Sequence, residues 1–99
     1  MHFLLFYHYV PDYLERRDAH RSAHLARAWQ SSGRGELQLG GVLGDTMDTA
    51  VLLFQAETRA TVEAFVAEDP YVLNGLVARW EVRPWLTVAG RDATSPVLA

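Results

Sequence analysis

Two short segments constrain the fold more than anything else in the chain, because both are apolar on both faces. In the first, about His2 to Val10, Leu4, Phe6 and Val10 alternate with Phe3, Leu5, Tyr7 and Tyr9. In the second, about Thr49 to Ala56, Val51 and Leu53 alternate with Leu52 and Phe54. A half-buried strand shows one apolar and one polar side with a period of two, so a run lacking that contrast is a strand covered twice. Both segments must therefore lie centrally in a sheet whose two faces are both shielded.

The intervening sequence supplies the other elements. Pro11 ends the first strand, and Asp12 with Glu15 forms a D-x-x-E capping box that opens a helix to about Ser32. Leu14, Arg21, Leu25, Ala28 and Trp29 recur at helical spacing, and Gly33 is the expected stop. Glu36 to Gly44 reads as a second strand, joined to the Thr49–Ala56 strand through Asp45-Thr46-Met47-Asp48. Thr58 can cap a helix carrying Val62, Phe65 and Val66, which must end near Asp69-Pro70 because the residue before proline avoids helical geometry. A helical turn over Tyr71 to Leu76 and a last strand over about Val77 to Val88 follow. The order β-α-β-β-α-β predicts an α+β, ferredoxin-like fold: a four-stranded antiparallel sheet with both helices on one face. Residues 1–90 form the expected single domain, and 91–99, with Ser95-Pro96, a loosely held tail.

Two helices cover one face only, which leaves the other apolar face open. An uncovered sheet of that kind is an interaction surface, and the simplest cover is the same face of a second copy across a two-fold axis. The expectation is a homodimer through the open sheet face, a dimeric α+β barrel.

Composition removes whole classes of chemistry. The chain has no cysteine, and all 9 of its basic residues are arginine, so thiolate nucleophiles, thiolate zinc sites and lysine Schiff bases are excluded. A net charge of −3 repels phosphate backbones, and the one basic doublet, Arg16-Arg17, is flanked by Glu15 and Asp18, so no nucleic acid partner is expected. No stretch has the length of a membrane span or the pattern of a signal peptide, which predicts a cytoplasmic protein without a membrane partner. Proton transfer is left to His, Asp, Glu and Tyr.

Among these, His20 and His24 have an H-x-x-x-H spacing, but no third ligand accompanies them, so no metal site is predicted. His2 and His8 read as partly solvated imidazoles. His24 lies in the half of the helix that packs on the sheet, where a histidine can be a satisfied core residue or a proton-transfer group. Asp69 before Pro70 is an N-cap signature, which alone would account for the carboxylate. If the two meet, the carboxylate orients the imidazole and fixes its tautomer. Arg21, one turn before His24, can clamp an anion or simply face solvent. Tyr71 can line the same pocket or fill core, and Gly40-Gly41 in a strand marks either close approach by a ligand or backbone or a plain β-bulge.

Four stretches carry a family likeness: Arg21-Ser22-Ala23-His24-Leu25, Leu39-Gly40-Gly41, Ala64-Phe65-Val66-Ala67-Glu68-Asp69-Pro70-Tyr71 and Val82-Arg83-Pro84-Trp85. Over about the first 88 residues the chain resembles the YCII-related (YciI-like) family. The resemblance implies a dimeric α+β barrel with a pocket holding a His-Asp pair, here His24 and Asp69. The family pattern has proline in R-P-x-H where this chain has Ser22. No particular substrate is implied.

Three functions follow as expectations. The first is a cofactor-independent acid/base enzyme, an isomerase or lyase acting on a small organic substrate, with His24 moving a proton and Asp69 orienting it. The absence of a Gly-rich dinucleotide fingerprint agrees with chemistry that needs no cofactor. The second is a non-catalytic small-molecule-binding or accessory dimer. The third, a purely structural dimerisation unit, predicts no ligand-sized cavity.

Overall fold

The computed structural model describes residues 1–99. The elements are β1 (His2–Tyr9), α1 (Tyr13–Arg16), a 3-10 turn (Arg17–Ala19), α2 (Arg21–Gly33), β2 (Leu37–Val42), β3 (Thr49–Gln55), α3 (Ala60–Glu68), α4 (Pro70–Leu73) and β4 (Val77–Trp85). The four strands form one sheet in the order β2-β3-β1-β4, antiparallel throughout. As the doubly apolar runs require, β1 and β3 are central.

In register, Leu5 of β1 stands between Leu52 of β3 and Val82 of β4. Phe3, Leu5 and Tyr7 share a face with Ala50, Leu52 and Phe54, and pack beneath Val62, Phe65 and Val66 of α3. Full burial of one such aliphatic or aromatic side chain stabilises by about 1.5–3 kcal/mol. On the opposite face Leu4, Phe6, Val51 and Leu53 are only half-buried, and Leu39 and Trp85 are exposed. All of these but Phe6 line a broad depression of about 540 Å³.

Local expectations fail where tertiary contacts outweigh propensity. The helix expected from Asp12 to Ser32 is broken: α1 gives way to the 3-10 turn, and the backbone bends at His20 (φ −122°, ψ −4°) before α2 begins. Asp12 makes no side-chain cap bond and instead pairs with Arg16 at 3.6 Å. The cause is Tyr13, whose buried ring stacks on Tyr9 with centroids 3.6 Å apart and draws the first turn inward. The apolar stripe of α2 is likewise displaced. Leu25 and Trp29 are exposed, and the helix seats itself through buried Ser31 and half-buried His24, Arg27 and Ala28. Small Ala28 and Ser31 permit close approach, while Arg27 donates to the Phe65 carbonyl at 3.0 Å.

Smaller corrections have equally local causes. Gly33 is still helical, and the left-handed residue that ends α2 is Gly35 (φ +78°). Thr58 does not cap α3, which begins at Ala60 without a side-chain cap; the neighbouring Arg59 is drawn to the Val82 carbonyl at 2.8 Å. The β-bulge lies at Gln38, between Leu37 and Leu39, so Gly40 and Gly41 pair regularly with Leu52 and Val51. β4 stops at Trp85, short of Val88; its Pro84 is tolerated because β4 is an edge strand. Beyond it the tail folds back, with Ser95 N–H donating to the Thr87 carbonyl at 2.9 Å and Val97 N–H to the Val88 carbonyl at 2.8 Å. His2 is therefore buried, its Nδ1 2.9 Å from the Thr87 hydroxyl, rather than partly solvated. No helix is long and apolar enough to cross a membrane.

Candidate functional site

The site is assembled around the break between α3 and α4. Pro70 forbids continuation of α3, so Asp69 turns extended (ψ 124°), and its side chain caps α4 by accepting from the Tyr71 N–H at 3.0 Å. The same oxygen, Oδ1, lies 2.8 Å from His24 Nδ1 on α2. The other oxygen, Oδ2, accepts from the Tyr7 hydroxyl of β1 at 2.7 Å. The carboxylate is fully buried, with 0% exposure, so all of its compensation comes from these three donors. Helix capping and contact with the histidine, alternatives when read from sequence, occur together.

The imidazole is fixed in plane as well as in hydrogen bonding. The Tyr71 ring lies parallel to it, 3.9 Å away with an interplanar angle of 7°. A carboxylate partner makes Nδ1 the donor nitrogen, which leaves Nε2 as the lone-pair nitrogen of the neutral ring.

Behind and beside the histidine stands a tyrosine cluster. Tyr9 and Tyr13 are stacked, and Tyr71 meets both edge-on at 6.1 and 5.8 Å. Burial, reinforced by the charge of Asp69, pushes the Tyr7 phenol far above the ordinary tyrosine range. Burial and the adjoining Tyr13 push Tyr9 up as well. Tyr71 is raised by burial and Tyr13, with Arg21 and Arg17 pulling the other way. At neutral pH these three are phenols, able to donate.

Beside these groups is a cavity of about 130 Å³, open on one side and bounded by His24, Tyr71, Arg17, Arg21, Gly40 and Gly41. Five of the six residues singled out in sequence thus line one cleft, and Asp69 lies buried behind His24. Gly40 keeps the wall thin, since a Cβ there would stand 3.4 Å from Leu52 Cγ. Gly41 has open space around the same position. His20 remains at the N-cap of α2, outside the cleft lining, and nowhere do three His, Asp or Glu side chains gather closely enough to hold a metal. Four participants escaped the sequence reading as site residues: Tyr7, Tyr9, Tyr13 and Arg17. Tyr7 carries a weak signal: a phenol on the inner face of a central strand needs a buried partner.

The YCII-related domain model matches residues 1–86. Among solved structures, the chain is similar to a 5-chloro-2-hydroxyhydroquinone dehydrochlorinase from Burkholderia phenoliruptrix AC1100, in complex with 2,5-dihydroxybenzoquinone. Identity is 28%, the TM-score 0.76, and the match covers 88% of this chain and 95% of that one. A NIPSNAP family protein from Agrobacterium tumefaciens C58 is 16% identical with a TM-score of 0.57, covering 94% and 95%. An antibiotic biosynthesis monooxygenase-like protein from Nitrosomonas europaea is 17% identical with a TM-score of 0.57, covering 87% and 99%. These latter two bear on fold alone, that of the dimeric α+β barrels. No curated protein sequence matches.

Proposed function

The chain belongs to the YCII-related family, and from that premise we propose that it is a cytoplasmic, homodimeric, cofactor-independent acid/base enzyme of lyase or isomerase type acting on a small ring compound. The observation that carries this reading is the 2.8 Å contact of His24 Nδ1 with a fully buried carboxylate at the edge of a ligand-sized cleft. Asp69 orients the ring and compensates positive charge as it forms. His24 Nε2 takes a proton from a carbon next to a carbonyl, generating an enolate. Returning that proton to another carbon gives isomerisation; expelling an anion from the adjacent carbon gives elimination. Neither outcome changes the electron count, so neither needs a redox partner. The neighbour's dehydrochlorination, loss of a proton and a chloride, asks for the same equipment: a base and a place for an anion.

Dimerisation through the open face is supported by Leu4, Phe6, Val51 and Leu53, which a monomer leaves half in water.

Chloride release from 5-chloro-2-hydroxyhydroquinone, compared between the parent and the His24→Ala and Asp69→Asn proteins, tests the chemistry. Positioned acid/base catalysis is worth about 10²–10⁴-fold, so His24→Ala should lose at least the lower figure. If folded His24→Ala turns over as fast as the parent, the assignment is wrong. If the parent binds the compound and never releases chloride, the chain is a binding module for such rings.

A further inference from the structure

Four of the nine arginines are paired with carboxylates: Arg16 with Asp12, Arg27 with Glu68, Arg34 with Glu36 and Arg91 with Asp92. Arg17 and Arg21, at the mouth of the cleft, have no carboxylate within salt-bridge distance, and no Asp or Glu lines the cleft. Their placement does nothing for the helix they flank. Arg21 opens α2 and Arg17 lies in the turn before it, so both cations stand at the positive end of a 13-residue helix whose first turn holds no acidic residue. A cation there is unfavourable by about 0.3–1 kcal/mol, the reverse of the usual acidic bias. The Arg17 guanidinium is also held over the Tyr13 ring, 5.7 Å from its centroid, which directs a long side chain toward the aromatic wall.

From this geometry we infer that the cleft selects a planar, single-ring anion, and that Arg17 and Arg21 are the groups that recognise its charge. This rests on the proposed acid/base reading only in assigning the anion as substrate rather than as bound ligand. Ring size follows from volume: the cavity of about 130 Å³ is comparable to the ~150 Å³ that admits one benzene ring. Planarity follows from the lining, which combines the flat rings of Tyr9, Tyr13 and Tyr71 with Gly40, a position that brings no side chain into the cleft. Charge follows from the arginines: guanidinium groups match the fork of a carboxylate or the oxygens of a ring enolate. Such an anion would give a direct partner to two cations that the fold leaves without a salt bridge.

Binding of benzoate and of benzamide, its neutral counterpart of equal shape, tests this by titration calorimetry with the parent, Arg17→Gln, Arg21→Gln and the double variant. Benzoate should bind the parent at least about tenfold more tightly than benzamide, a difference of about 1.4 kcal/mol. Each arginine substitution should weaken benzoate severalfold, the double variant should abolish the preference, and benzamide should be unaffected. Raising the salt concentration should weaken benzoate alone. Arg91→Gln, far out on the tail, should change nothing. Benzamide binding as well as benzoate, no saturable benzoate binding by the folded parent, or indifference to both arginine substitutions would each overturn the inference. Because this is a binding readout and not a turnover readout, it can succeed while the chloride-release assay fails, and the reverse.

Discussion

Replacing Tyr7 by phenylalanine removes one oxygen and keeps the buried ring, so no cavity opens. What is lost is the only donor to Asp69 Oδ2, at 2.7 Å, in a place with 0% exposure. Leaving a buried acceptor unsatisfied costs about 1–3 kcal/mol, with hydrogen bonds to charged groups at the upper end, so a loss of about 2–3 kcal/mol is expected. For a domain of this size each kcal/mol lowers Tm by about 4–8 °C, and urea unfolding at fixed protomer concentration should show a lower midpoint with unchanged m. The pH dependence supplies an independent check. Tyr7 holds its proton far more tightly when folded than the ordinary tyrosine value of 10.0. Its stabilising share is complete below about pH 10 and is lost as the pH rises toward the folded value, at about 1.4 kcal/mol per pH unit. Tyr7→Phe lacks that share, so its stability should fall less steeply than the parent's above pH 10. A loss under about 0.5 kcal/mol, the range of ordinary surface substitutions, together with parallel alkaline slopes, would refute the claim that this phenol sustains the carboxylate.

Other substitutions probe the remaining features. Gly40→Val, facing Leu52 Cγ at 3.4 Å, should reduce ring binding and destabilise the protein, while Gly41→Ala should leave stability within about 0.5 kcal/mol, as calorimetry and thermal melts would show. Leu53→Glu on the open face should convert a dimer to a monomer by sedimentation; a dimer of unchanged affinity would place the contact elsewhere. Gly75 has φ +75°, so Gly75→Ala should cost about 1 kcal/mol or more in urea unfolding, because an L side chain is strained there.

The sheet order was readable because the β-α-β-β-α-β succession puts the first and third strands at the centre, in agreement with their doubly apolar runs, and Asp69 was readable because Asp-Pro acts locally, through the backbone of two neighbouring residues. What was not readable depends on side chains that meet late in the chain's path. The break at His20 follows from Tyr13 reaching Tyr9 and Tyr71, a cluster no helical period announces. The exposure of Trp29 follows from Arg27 and Ser31 taking the inner face, against their usual preference. His24 and Asp69 are 45 positions apart and Tyr7 and Asp69 are 62 apart, separations for which spacing has no rule. The burial of His2 depends on the tail returning over Thr87, which polar composition alone would leave free.

The three donors to Asp69 come from β1, from α2 and from the first turn of α4, so one carboxylate is the meeting point of segments that are remote in sequence. Any exchange at that position acts on folding and on the cleft together. Laboratory evolution toward new substrates would therefore meet a ruggedness at position 69 that it would not meet at Arg17, Arg21 or Gly41, which border the same cavity from the rim. The architecture separates a rim free to vary from a hub that is not.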